Sequence, residues 1–524
     1  MLLMSTAWPW SSPACAISGT EKMKLKLALN HGGRVYNSFP AFLALLLLSC
    51  IVFLAALPVE ASVIQAGRDV QSAIDSAQPG DMVLVMGGEA NSFVVDRPLI
   101  IEGQDHPIVS AAMQKPAIKV LSDGVTIAGF RIRGVTKDTT AKFNYYMQNP
   151  AAAANVGLDD ANSALVVMGN DVFIRNCSIF GAQVGISAEN VEGLTVQNTS
   201  LEGCDIGASI LQSREVQVSA CQLAGCRKYG LDIERSFDIE IYNNSIVNNS
   251  NGGVLLKESE DGVVSQNLIS RSTFGLSLWS SSHFQVSANT ANQNQYGILV
   301  TDSSDYNNIT DNAAEDNSHS DIVAGFGTGI SLQENSSYNL LAGNRATGNF
   351  NGLELSRGCQ YNAVYSNNAS DNKHGIRLNE NRNNLIFGNN FRRNDINAYE
   401  NVSSNIWNTS LGNYYSDYKG RDQDGDGIGE EPYTLPGPES QSLDRRPLLQ
   451  PFHESKGNYA GIRDEVARYA LFPPAVQNVP TTAVANGVVV ISRKVPSSPP
   501  KWSDSSFHDS FDPSAPPFQK ETRL

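Results

Sequence analysis

The residues best placed to do chemistry lie in the stretch Asp422–Glu430, which reads DQDGDGIGE. Asp422, Asp424 and Asp426 alternate, Gly427 follows, and Ile428 can offer its carbonyl. That order matches positions 1, 3, 5, 6 and 7 of a calcium loop, because alternating carboxylates around a glycine turn aim hard oxygens at one centre. Position 12 is Tyr433 instead of a bidentate glutamate, and no helix pattern flanks the loop. Glu430 is the remaining acid that could complete the shell. The expectation is a weak calcium site at Asp422, Asp424, Asp426 and Glu430, against the alternative of a solvated acidic turn.

Other chemistry is sparser. His106, His283, His319, His374, His453 and His508 are spread along the chain without a His-x-His pair or a Met-rich cluster. Copper needs imidazole, thiolate or thioether donors gathered in space, so no copper site is readable. Beyond the signal region, Cys177, Cys204, Cys221, Cys226 and Cys359 form an odd set, against a fully paired disulfide framework. Cys204 and Cys226 hold equivalent places in successive repeats, close enough for a bridge in principle, although a stack of small buried side chains is the preferred reading. No residue is assigned as catalytic.

These residues must be positioned by a repeat. Glycines recur at Gly185, Gly207, Gly230, Gly253, Gly275 and Gly297, then at Gly329, Gly352 and Gly375, 22 or 23 residues apart except for one step of 32. A fixed period of this size is a solenoid signature. Each glycine opens an apolar-x-apolar alternation that reads as a half-buried strand. An asparagine follows 13 to 15 residues later, at Asn198, Asn244, Asn267, Asn289, Asn312, Asn344, Asn367 and Asn389. Asparagine suits a left-handed corner, and stacked asparagines can bond as a ladder. No segment between glycines has helical length and composition, so the coils are all strand and the fold class is all-β, a single-stranded parallel β-helix. Glu234, Glu258, Asp302, Glu334, Glu354, Arg377, Glu380 and Asp232 fall at outward positions; Glu354 and Arg377, one coil apart, read as a surface ion pair.

Two insertions interrupt the period, Thr136–Asn162 and Ser318–Phe326. Both precede a glycine strand, so both should emerge on one edge, about seven coils and on the order of 34 Å apart. Insertions gathered on one edge often mark a working face, against the alternative of two tolerated surface loops. Residues 62–410 are read as the β-helix, opened by a short capping helix after Asp69 with Val70, Ala73, Ile74 and Ala77 on one face. Residues 411–452 read as a C-terminal cap carrying Trp407, Tyr414, Tyr415 and Tyr418 in or beside it, and 453–524 as a Pro/Ser-rich, largely disordered tail. Ala41–Leu57 is an apolar run preceded by basic residues and followed by PVEAS, the layout of a secretory signal, so 1–61 is a signal or anchor region. The chain is expected outside the cytoplasm, secreted or in the cell envelope, touching membrane only through that segment. A net charge of −15 and a pI near 5.0 argue against nucleic-acid partners.

The repeats, the opening GDMVLV and the ending GNYYSDYKGRDQDGDGIGEEPYTLPG together resemble the NosD family. The resemblance covers roughly 62–450 and implies an exported, right-handed β-helix of the pectin-lyase-like superfamily with carbohydrate-binding and sugar-hydrolase-type repeats. It implies copper only by analogy with family members that mature a copper site. The function expected from residues and resemblance together is a non-catalytic binding or scaffold protein with an envelope protein or glycan as partner. A polysaccharide lyase, epimerase or hydrolase and a copper-binding maturation factor are the alternatives.

Overall fold

A computed structural model describes residues 61–112, 115–135, 162–317, 326–438, 440 and 442–453, and the strands Ala483–Ala485 and Val488–Val490. The segment Ala41–Leu57, both insertions except their last residues, and most of the tail lie outside these residues. The described coils belong to one compact unit, Ala61–Leu524.

Three parallel sheets of 15, 13 and 14 strands wind into a right-handed β-helix of about fourteen turns. Successive coils pair in register, as in Ile186↔Ala208 and Ala208↔Leu231, so equivalent repeat positions stack into columns along the axis. Inward columns of Ile, Val and Leu, such as Leu231, Val254, Leu276 and Ile298, are fully or almost fully buried. The helix α1 (Val70–Ser76) begins at Asp69, whose carboxylate accepts the Ser72 amide, and buries Val70, Ala73 and Ile74 over the first coil. It thereby covers apolar surface that the open end of a solenoid would expose.

The marker glycines start the strands of the 13-stranded sheet, called here the glycine sheet. Their backbone is not left-handed; space dictates the residue. A Cβ on any from Gly185 to Gly375 would stand no more than 2.7 Å from the carbonyl oxygen of the next coil.

The asparagine column is a hydrogen-bonded ladder. From Asn244 to Asn413 each side-chain Nδ2 donates to the Oδ1 of the next coil at 2.9–3.0 Å. The bond from Asn312 to Asn344 crosses the 32-residue coil unchanged at 3.0 Å. Two details differ from the sequence expectation. The left-handed residue is the one before the ladder, as at Asn243, Gln266, Ala288 and Ser366, because the ladder asparagine must point inward to bond. Asn198 belongs to that outer column (φ 46°) and is exposed, while Thr199 fills the buried place.

There are also further ladders among the described residues. Asn307, Asn339, Asn362, Asn384 and Asn405 form a second, and Asn317, Asn349, Asn372 and Asn394 belong to a third. Each ladder ends on a carboxylate. Asn413 donates to Asp444, Asn405 to Glu400, and the third passes through Asn397 to Asp417. Asp444 and Glu400 are fully buried.

The last coil is closed by Trp407 and Tyr415, each 1% exposed, and by Tyr433, stacked on Tyr415 with ring centroids 3.8 Å apart. Tyr433, the residue that breaks the calcium-loop pattern, therefore serves the cap. Beyond it, Ala483–Ala485 pairs antiparallel with Val488–Val490.

Candidate functional site

The acidic loop sits on the cap surface. Carboxylate oxygens of Asp422, Asp424 and Asp426 gather within 4.8 Å of one another, and all three residues are exposed. The loop is wound by its own acids: Asp422 accepts the Gly425 and Gly427 amides and Asp426 the Ile428 amide. Gly425 and Gly427, at φ 79° and 83°, supply left-handed turns that favour glycine. Glu430 stands apart from the trio and accepts the Gln423 amide. The set is all oxygen, which suits a hard cation.

The second candidate is the outer face of the glycine sheet. Both insertions enter there: the first lies between the strands Arg131–Arg133 and Ser163–Val167, the second between Ala313–Glu315 and Thr328–Leu332. In each case the chain is passing from the 14-stranded sheet into the glycine sheet, seven coils apart, at the common edge expected.

Three outward columns run along this face. A first holds Tyr229, Phe274, Tyr296 and His374, immediately before the glycines; a second holds Ser209, Asp232, Ser277, Ser331 and Glu354; a third holds Glu234, Lys257 and Trp279. Side chains of the first reach the second, as Thr328 Oγ1 donates to Glu354 Oε2 at 3.2 Å. Sequence reading found the charged members of this face but missed its serines and the aromatic residue before the glycine. The recurrence of Tyr, Phe or His at that one position was the available signal.

Glu354 is spent on neighbours: its carboxylate takes Arg377 Nη1 at 2.9 Å as well as Thr328 and Ser331. Glu234 lies between Lys257 at 3.9 Å and Arg235 at 4.0 Å. Asp232 differs. It is 8% exposed, and burial first, then the Glu234 charge, push its carboxyl up to about 7 against the pull of Lys257 and Lys228. Asp232 and Glu354 stand five coils apart, ~24 Å at ~4.8 Å per coil, too far to act on one bond.

This architecture defines a single-chain, right-handed parallel β-helix with a closed cap and one elaborated face. The family model described as "Periplasmic copper-binding protein (NosD)" matches residues 149–325 and 275–420, and the chain belongs to the NosD family. Solved structures with a similar fold include the Dettilon tailspike protein, at 13% identity and TM-score 0.45, over 66% of this chain and 68% of that one. A DFA-IIIase from Arthrobacter chlorophenolicus in complex with GF2 gives 12%, 0.43, 59% and 94%. The A-module of an Azotobacter vinelandii mannuronan C-5 epimerase gives 13%, 0.35, 64% and 92%. No curated protein matches the chain significantly.

The family name raises copper, and the described residues do not fit it. No group of three potential ligands among them contains a histidine or cysteine; the aspartate trio alone qualifies. His106, His283 and His374 each bond a different neighbour, Gly129 O, Glu260 and Asn351. His319 and His508 lie outside the described residues. The five cysteines among the described residues are unbridged and buried. Burial pushes Cys177, Cys204 and Cys221 up to about 11 and Cys226 and Cys359 up to about 12, so the thiolate that a metal or an alkylating agent requires is scarce. Iodoacetamide at pH 8 followed by peptide mass mapping is expected to leave these five unmodified in the native protein and to label all five once unfolded. Rapid native labelling of Cys204 or Cys226 would overturn that reading.

Proposed function

We propose that this chain is an exported, non-catalytic binding protein of the cell envelope that holds a linear glycan along the outer face of the glycine sheet. The observation that supports it most is the register of that face, where aromatic residues recur at one position (Tyr229, Phe274, Tyr296) and polar ones at another (Ser209, Asp232, Ser277, Ser331, Glu354), beside the corner that carries both insertions. A polymer with a repeating unit meets a repeating surface there, and the paired acids are mostly consumed by their own neighbours. Affinity electrophoresis of the purified chain through gels containing envelope polysaccharide tests it. Retarded migration is expected, and deletion of residues 136–161 should abolish it while leaving the β-sheet circular dichroism intact. Unretarded migration in every gel would sink the proposal.

A second reading, a glycan-cleaving enzyme, rests on Asp232 alone: a carboxyl that burial and the neighbouring Glu234 charge push up to about 7 lies in the range where a general acid works. It requires product release that Asp232→Asn abolishes.

The acidic loop is proposed as a calcium site that stiffens the cap. With the weak affinity typical of extracellular loops, roughly 10⁻⁴–10⁻³ M, 10 mM calcium should stabilise the fold by about 1.5–3 kcal/mol. The gain should vanish in Asp424→Asn/Asp426→Asn, read by thermal denaturation with and without a chelator.

A further inference from the structure

Two buried polar atoms without any partner lie in one column of the glycine-sheet face. They are Asp232 Oδ1 and Ser277 Oγ, in residues only 8% and 1% exposed. Leu255 separates them in register, so they stand two coils apart, ~9.6 Å at ~4.8 Å per coil. Such atoms are few in folded proteins, because each gives up its solvation with nothing in return. Two on one outward column, on strands that also present aromatic rings, mark a place where a ligand supplies the missing hydrogen bonds. Phe274 and Trp279 flank Ser277 on its own strand. The Phe274 ring fills the space over Gly252, where a Cβ would collide with it, and lies 6.0 Å from the Tyr229 ring.

The charges around Asp232 restrict what that ligand is. Glu234 shares its strand and face, Lys257 stands on the next coil, and Lys228 precedes Tyr229. Lys257 and Arg235 are already drawn to Glu234. An anionic polymer would lie against two carboxyls, and a cationic one against Lys228, Lys257 and Arg235. Hydroxyls satisfy both orphan atoms, since a hydroxyl can donate to a carboxylate and either donate to or accept from a serine, and the apolar faces of sugar rings suit the aromatic side chains.

We infer that the stretch of this face from Tyr229–Glu234 to Tyr296–Thr301 binds an uncharged, linear saccharide whose hydroxyls pair with Asp232 and Ser277. The inference rests on the reading of this face as glycan-binding and specifies the class of glycan and its anchors.

The test is affinity electrophoresis of the full chain at pH 7 through gels of a neutral β-glucan, polygalacturonate or chitosan, repeated with Asp232→Ala and Ser277→Ala. Neutral glucan should retard the wild-type chain, and each substitution should weaken that binding about tenfold, the loss of one ligand hydrogen bond of about 1.4 kcal/mol. Neither orphan atom has a partner in the protein, so both variants should melt at or above the wild-type temperature. That separates a ligand anchor from a structural residue. Retardation by polygalacturonate or chitosan with none by neutral glucan overturns the inference and leaves the broader glycan-binding proposal standing. So does neutral-glucan binding unchanged in both variants. Failure to bind any polysaccharide removes the proposal itself.

Discussion

Asn344→Leu is expected to destabilise the protein by about 4–6 kcal/mol in denaturant unfolding, although the two side chains have similar volume. Asn344 stands in the middle of the long ladder. Its Oδ1 takes both the amide and the Nδ2 of Asn312, its amide and Nδ2 reach Asn367 Oδ1, and Nδ2 also reaches Ile309 O. Leucine would break four of these five buried hydrogen bonds, sparing only that of its own amide, and each donor or acceptor left unsatisfied is worth about 1–3 kcal/mol, with partial relief where the coil relaxes. The damage should be local, since each coil touches only its neighbours: hydrogen exchange should accelerate in the coils of Asn312 and Asn367 and stay slow near α1. Ser366→Gly, one residue before the next ladder position and in a left-handed corner at φ 53°, should cost less than about 1 kcal/mol or stabilise. Equal effects of the two substitutions would refute the ladder account.

Asp444→Ala is expected to loosen the whole C-terminal cap, at a cost of about 3–5 kcal/mol. The buried carboxylate accepts the Asn413 amide at 2.7 Å, its Nδ2 at 3.2 Å, Tyr415 Oη at 3.1 Å and the Arg446 amide at 3.0 Å. Alanine strands these donors in the core. The expected signature is early loss of tyrosine near-ultraviolet dichroism from the Tyr415–Tyr433 stack, ahead of the β-sheet signal.

Asp444 also sets a pH dependence. Burial, outweighing its hydrogen bonds, pushes the carboxyl from the ordinary 3.8 up to about 6. The folded state then holds a proton that the unfolded state has released. Its contribution to stability is full below 3.8 and is lost as pH rises through about 6. Asp444→Asn should flatten the stability profile between pH 4 and pH 7; a profile as steep as that of the wild type would contradict this.

The solenoid was legible in the sequence because a fixed period forces each position to repeat, and the spacing of Gly185 to Gly375 carried it. The helix after Asp69 was legible from its cap and apolar face. The second and third ladders were hidden, since Asn307 or Asn349 is simply one more asparagine in a chain full of them until the register stacks it. Asp444 was hidden for a related reason: nothing local in LDRR announces an acid that folds back to Asn413. On the glycine-sheet face, Asp232 stood out by charge, whereas Ser277 became noteworthy only once its hydroxyl was found buried and unpaired. The aspartate trio was readable from spacing; that Tyr433 stacks on Tyr415 to close the last coil was not.

The ladders all run one way. From Asn267 to Asn389 every side-chain oxygen of the long ladder accepts from the preceding coil and every Nδ2 donates to the next, so these dipoles add along the axis as peptide dipoles add in a helix. The rod therefore has an electrical direction, with its positive pole at the C-terminal end. There Asp444, Glu400 and Asp417 act as counter-charges, one per column. A chain cut before residue 411 would lose two of the three and present rows of unsatisfied amide donors beside raw strand edges, a surface that invites anions and other chains. The cap thus neutralises a pole as well as covering a core.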